Sequence, residues 1–202
     1  MDTRALRNTL GQFATGVCVL TTNDPDRGAI GMTVNSFAAV SLEPALVLWS
    51  IQNTSECFNE FTECDRYGIS VLRDSQEALS NRYARSLEHA VDDGDCFVDS
   101  HGVPLIQGAL ATLSCKMSAL HPGGDHHIIV GEVVDFESHS GDPLVFFGGA
   151  YPSREFAKER NDALALTDEQ FGGSYEIPSQ TTIDLVIGEM YTDEGQPSAG
   201  MN

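Results

Sequence analysis

Two short stretches of this chain concentrate side chains able to hold a polar ligand, Thr33-Val34-Asn35-Ser36 and Asn53-Thr54-Ser55. Both stand beside apolar runs, so their hydroxyl and amide groups, which donate and accept hydrogen bonds, would sit at the rim of a buried element. Where such residues open a helix, the unpaired backbone N–H groups there suit an anion such as a phosphate. The ordinary role of Asn53 and Ser55 at a helix start is capping, and from residue type alone that reading comes first.

His126 and His127 are adjacent, so on a strand they point to opposite faces and cannot chelate one ion together. His89, His101, His121 and His139 fall in polar stretches, and no ligand spacing supports a metal site. The five cysteines (Cys18, Cys57, Cys64, Cys96 and Cys115) include no Cys-x-x-Cys pair. Cys18 and Cys115 lie in apolar runs and read as small core residues. Gly-x-Gly-x-x-Gly is absent, so a nicotinamide cofactor, if used, is not held by the common dinucleotide fold. Gly-x-x-x-x-Gly-Lys, His-Glu-x-x-His and Gly-x-Ser-x-Gly are absent too, and the last absence weakens a hydrolase reading.

The elements that must position these residues follow from periodicity. Leu6, Leu10 and Phe13 predict a short amphipathic helix over 4–14, capped by Asp2 or Thr3. Val17 to Thr22 reads as a buried strand, Ala29 to Phe37 as strand or extended loop, and Ala45 to Ile51 as a fully buried strand. Asn53-Thr54-Ser55 is expected to start a helix bearing Phe58 and Phe61. Tyr67 to Leu72 is a strand, and Asp74-x-x-Glu77 opens a helix in the manner of a capping box. Residues 90–108 are polar and turn-rich. Between Ala109 and Leu120 the alternation is clearest: Ala111, Leu113, Cys115, Met117 and Ala119 on one side, Thr112, Ser114, Lys116 and Ser118 on the exposed other. A loop from His121 to His126 leads to a strand over 127–136, and Pro143 to Phe147 is one more. Six or seven strands with few helices and no strand–helix alternation predict a mainly β fold, a closed antiparallel barrel rather than a doubly wound sheet.

The chain has 202 residues with 41% hydrophobic and 20% charged side chains, enough for one folded domain with an appendage. Thirty acidic and eleven basic residues give a net charge of −19, and only Lys116 and Lys158 are lysines. Such a field repels nucleic acid and anionic membrane surfaces, so neither is an expected partner. It fits either a solvated surface or a salty cytoplasm in which self-repulsion is screened. No apolar run approaches the ~20 residues of a membrane span, and no signal peptide opens the chain, so a soluble cytoplasmic protein is expected. Residues 155–202 hold ten acids and two bases. They read as a partly ordered acidic C-terminal extension of a 1–154 domain, with one potential strand over 181–191.

Seven motifs in order then carry a family resemblance. Phe13-Ala14-Thr15-Gly16-Val17 is followed by Gly31-Met32-Thr33-Val34-Asn35-Ser36-Phe37 with Val40-Ser41-Leu42-Glu43-Pro44. After these come Gln76-x-x-Leu79-Ser80-x-x-Tyr83-Ala84, Gly102-x-Pro104-Leu105 and Gly124-Asp125-His126-x-Ile128. The set closes with Gly131-x-Val133 and Gly149-x-Tyr151. Together they resemble the short-chain NAD(P)H:flavin reductases, FMN-binding split-barrel proteins that include the reductase components of two-component flavin monooxygenases.

The resemblance implies a small antiparallel split β-barrel with a few flanking helices, acting as a homodimer with flavin near the subunit interface. It implies reduction of free FMN or FAD by NADH or NADPH, the reduced flavin passing to a partner monooxygenase. Thr33, Val34, Asn35 and Ser36 would contact the flavin ring and ribityl chain, and Ser41 and Tyr151 belong to the same cofactor-binding set. Asn53, Thr54, Ser55 and Cys57 would receive the phosphate. Asp125 and His126 would lie on the nicotinamide side, His126 orienting the carboxamide or ring and Asp125 fixing the orientation of His126 or of the loop. Residues 53–59 contain Glu56 and no Lys or Arg, so Arg82 or Arg85 is expected to supply a counter-charge. Two alternatives are an electron carrier that holds flavin without releasing it, and a pyridoxamine-phosphate-type oxidase, which would need basic residues for a second phosphate, in which this chain is poor.

Overall fold

The run Val17 to Leu20 is apolar on both faces because it is buried on both. Cys18 and Leu20 enter one hydrophobic cluster with Trp49, Phe61, Tyr67, Ile69 and Ile129. Val17 and Val19 enter a second with Leu72, Tyr83, Ile106 and Leu144. This strand is the wall between two cores.

The computed structural model describes residues 1–152, and the acidic segment with its potential 181–191 strand lies outside the described residues. In chain order the elements are α1 (Thr3–Leu10), β1 (Thr15–Gly16), β2 (Cys18–Asp24), β3 (Gly28–Val34), β4 (Ala38–Leu42), β5 (Ala45–Gln52), α2 (Phe58–Glu63) and β6 (Arg66–Val71). A 3-10 turn over Asp74–Gln76 runs into α3 (Glu77–Tyr83), followed by β7 (Cys96–Val98), β8 (Pro104–Ile106), β9 (Ala111–Gly123), β10 (His126–Ser138) and β11 (Val145–Phe146). Among the described residues no helix is long and apolar enough to cross a membrane.

Seven strands form an antiparallel sheet in the order β3-β2-β6-β9-β10-β5-β4. The mainly β, antiparallel expectation is met, but the closed barrel is not: β3 and β4 do not pair. The free edge of β3 is already taken by residues 89–91. The Gly31 N–H donates to the His89 carbonyl at 2.8 Å and the Val91 N–H to the Ala29 carbonyl at 2.9 Å. At the β3–β4 junction Ser36 replaces a ladder bond. Its hydroxyl accepts from the Ser50 N–H at 3.0 Å and donates to the Ser50 carbonyl at 3.2 Å.

Several local expectations shift. Asp2 caps α1, accepting from the Arg4 and Ala5 N–H groups at 2.9 and 3.2 Å, yet no residue of α1 is buried. Leu10 and Phe13 project into solvent at 66% and 79% exposure. The helix expected from Asn53 begins only at Phe58, with Cys57 at its cap position and no side-chain cap. At the start of the 3-10 turn that precedes α3 the box is Arg73 and Gln76, not Asp74 and Glu77: the Arg73 N–H donates to Gln76 Oε1 at 3.1 Å. On β9, Thr112 and Ser114 are buried rather than exposed. The β7–β8 hairpin, in the stretch read as turns, covers that face and brings Asp99 to accept from the Ser114 hydroxyl.

Candidate functional site

One cleft of about 470 Å³ gathers residues from four parts of the chain. Met32 to Ser36 come from the end of β3, Ser50 and Gln52 from β5, and Thr54 to Glu56 from the loop after it. Tyr83 ends α3, Ala84, Ser86 and His89 follow it, and His126 opens β10. The register explains the last member, since β10 pairs with β5 so that His126 stands opposite Gln52. The volume lies in the range of small-molecule sites.

Thr33, Val34, Asn35, Ser36, Thr54, Ser55 and His126 all line this cleft. Two of their hydroxyls are already committed. Thr33 Oγ1 donates to the Ser80 carbonyl at 2.7 Å, and the Ser36 hydroxyl holds Ser50. Their oxygens can still accept, but their hydrogens are directed at protein. Asn35 is exposed and also lines two neighbouring grooves, so it stands where all three meet.

His126 and His127 do point apart. His126 faces the cleft, its Nδ1 2.7 Å from Asp125 Oδ1. That hydrogen bond and the imidazole charge hold the Asp125 carboxyl below its usual range. His127 turns the other way, donating from Nδ1 to Asn53 Oδ1 at 2.7 Å and packing edge-on against Phe58. Expected as a loop, residues 121–126 instead continue β9 to Gly123 and turn at Gly124 and Asp125, where Gly124 takes φ 76°. Asn53 fastens this turn. Its N–H donates to the Asp125 carbonyl at 3.0 Å and its Nδ2 to the Gly124 carbonyl at 3.2 Å.

The phosphate set divides. Asn53 is engaged with the hairpin and is not among the lining residues. Cys57 is fully buried in the first core, its thiol pushed up to about 12 by burial and then by Glu60. Ser55 Oγ accepts from the Cys57 N–H at 3.3 Å. Arg82 does not reach the cleft: its Nη1 lies 2.6 Å from Asp92 Oδ2 and 3.0 Å from Asp95 Oδ2, and Arg85 sits 3.7 Å from Glu88. An arginine on an acidic chain pairs with the carboxylates its own neighbourhood supplies. Ser41 is half-buried on β4 outside the lining. Tyr151 lines the adjacent groove with Phe146 and Asn81, its hydroxyl sharing a 2.8 Å hydrogen bond with Ser80 Oγ.

Sequence reasoning missed Glu56, Gln52, Ser86 and His89 as cleft residues. Glu56 was visible only as an unwelcome charge. The burial of His89 had no local signal, because its partners Gly31 and Glu56 are distant in the chain. With hydroxyl and amide groups together with Met32, Val34 and Ala84 in its lining, and no lysine or arginine, the cleft fits a polar heteroaromatic ring bearing a hydroxylated chain. It offers little to a polyanion.

Comparisons with known proteins point the same way. The family described as flavin reductase like domain matches residues 10–155. The FMN reductase (NADH) SmoA of Agrobacterium fabrum is 49% identical over 150 residues, covering 74% of this chain and 85% of that protein. The NADH-dependent flavin reductase of a Rhodococcus species is 42% identical over 152 residues, with coverages of 74% and 85%. Among solved structures, the NADH:FAD oxidoreductase SgcE6 of Streptomyces globisporus, in complex with NAD and FAD fragments, aligns with a TM-score of 0.71 at 34% identity, covering 75% of this chain and 92% of that one. A family match over most of the chain and relatives of this identity and coverage settle the assignment: this chain belongs to the flavin reductase family.

Proposed function

We propose that the protein reduces free flavin, FMN or FAD, at the expense of NADH and releases the product to a flavin-dependent monooxygenase. The observation that carries this reading is the convergence of Thr33 to Ser36, Thr54, Ser55 and His126 on one cleft. The overall change is NADH, flavin and a proton going to NAD⁺ and reduced flavin. Flavin, when bound, supplies the two-electron acceptor for the nicotinamide hydride.

The protein's part is positioning. Asn35, Gln52 and the 33–36 backbone would hold the ring and its chain, with Thr54 and Ser55 beyond. His126, kept in orientation by Asp125, would set the nicotinamide against the flavin face, where alignment rather than a general base governs the rate. NADH is favoured over NADPH because a 2′-phosphate calls for a nearby arginine and the cleft lining has none. The relatives named for NADH agree with that choice.

A cytoplasmic homodimer completes the proposal. Its support is the exposed pair Leu10 and Phe13, which line a groove sharing Asn35 with the cleft, so that a second copy placed there would shield apolar surface and ring together. The test is catalytic protein mixed with NADH and a large excess of free FMN. Many turnovers, followed as loss of the nicotinamide absorbance, are expected. A single stoichiometric burst would instead identify a carrier that keeps its flavin.

A further inference from the structure

The turn after α3 forms one wall of the cleft through Ala84, Ser86 and His89, and it is held in an unfavourable shape. Leu87 adopts φ 68°, a left-handed conformation that costs an L-residue free energy unless its surroundings impose it. Its own side chain imposes nothing, being 89% exposed. The hold comes from the other side of the molecule's mouth, where Glu56 Oε2 accepts the Leu87 N–H at 2.8 Å.

The same carboxylate oxygen lies 3.5 Å from His89 Nε2. The opposite ring nitrogen, Nδ1, is 3.0 Å from the Gly31 carbonyl, and a carbonyl only accepts, so Nδ1 carries a hydrogen and Nε2 is turned to Glu56. The imidazole is nearly buried and the main chain around it is stitched to β3 by the Gly31–His89 and Val91–Ala29 hydrogen bonds. One end of the turn is therefore anchored to the sheet. Its crest carries a local bond, the Glu88 N–H to the Arg85 carbonyl at 3.4 Å, and is tied across the cleft by Glu56, which sits on the loop after β5 beside Thr54 and Ser55.

We propose that Glu56 is a positioning residue for the cleft, acting through the Leu87 N–H and His89 to hold the 84–89 wall at the spacing a flavin requires. This rests on the flavin-reductase reading of the cleft. It also gives a reason for a carboxylate in a lining that otherwise carries no acidic side chain: it is engaged by a backbone N–H beside a nearly buried imidazole rather than by the ligand.

The experiment compares Glu56→Ala and Glu56→Gln with the unaltered protein, measuring amide hydrogen exchange over 84–90 and the steady-state constants for FMN with NADH. Glu56→Ala should speed Leu87 exchange at least about tenfold and raise KM for FMN at least about fivefold, with kcat within about twofold, since a loosened wall weakens binding before it alters the chemistry. Glu56→Gln keeps an acceptor for the Leu87 N–H and should restore both readouts to within about twofold. Unchanged Leu87 protection in Glu56→Ala overturns the proposal. So does a rise in KM that is equal in both variants with Leu87 still protected, which would make Glu56 a direct ligand contact. If the unaltered protein reduces no flavin, the functional reading falls, while the exchange measurement still decides whether Glu56 holds the turn.

Discussion

His127 Nδ1 lies 2.7 Å from Asn53 Oδ1, and this contact, made on the face away from the cleft, ties the β9–β10 hairpin to the end of β5. It places the two adjacent histidines in different trades. His126 is free to meet a ligand because His127 and Asn53 hold the strand that presents it.

Replacing His126 by Ala should therefore lower kcat/KM for NADH at least about tenfold, the loss expected when a reacting ring is no longer aligned. His127→Ala should change turnover less than about threefold but reduce stability by roughly 1–2 kcal/mol through the lost Asn53 and Phe58 contacts. Parallel kinetics and denaturant titrations of the two variants check this, and equal kinetic losses would contradict it.

The Asp125 carboxyl is held below its ordinary value of 3.8 by the hydrogen bond and charge of His126. A folded-state value lowered in this way means the contact contributes above the unfolded-state value and is lost as pH falls through the lowered one. Carboxyl NMR titration should find Asp125 ionised below pH 3.8 in the unaltered protein. In His126→Ala its midpoint should move back up towards 3.8.

Discrimination between FMN and riboflavin should be weak. A charge-assisted phosphate contact contributes roughly 1.5–3 kcal/mol, but the cleft lining offers no lysine or arginine and Arg82 is bound to Asp92 and Asp95. Dissociation constants from flavin fluorescence should agree within about tenfold, and Arg82→Ala should leave the FMN value unchanged. A preference for FMN above a hundredfold would mean a cation reaches the phosphate from elsewhere.

Gly131 is required by Tyr67. A Cβ built on Gly131 would stand 2.0 Å from the Tyr67 hydroxyl oxygen and 2.8 Å from Cζ, in the fully buried centre of the first core. Gly131→Ala should cost about 1–3 kcal/mol by overpacking, and adding Tyr67→Phe should recover part of it by removing the nearest atom. Urea unfolding of the single and double variants measures both terms.

Alternation and motif order were enough to read most of the strands from the sequence and to pick out several residues that gather at one cleft. Residues 33–36 and His126 reach the cleft, and His126 and His127 face opposite ways, because side-chain direction in a strand is set by the local backbone. The tertiary structure alone decided the open seam between β3 and β4, the burial of Thr112 and Ser114 beneath the β7–β8 hairpin, and the engagement of Asn53 with the β9–β10 hairpin and of Arg82 with Asp92 and Asp95. Only it could bring Glu56 to Leu87 and His89. A polar side chain's role depends on which partner arrives from elsewhere in the chain, as when Thr21 meets the Pro104 carbonyl across 83 positions. Periodicity along a strand records which residues share a face, but carries no record of what covers that face.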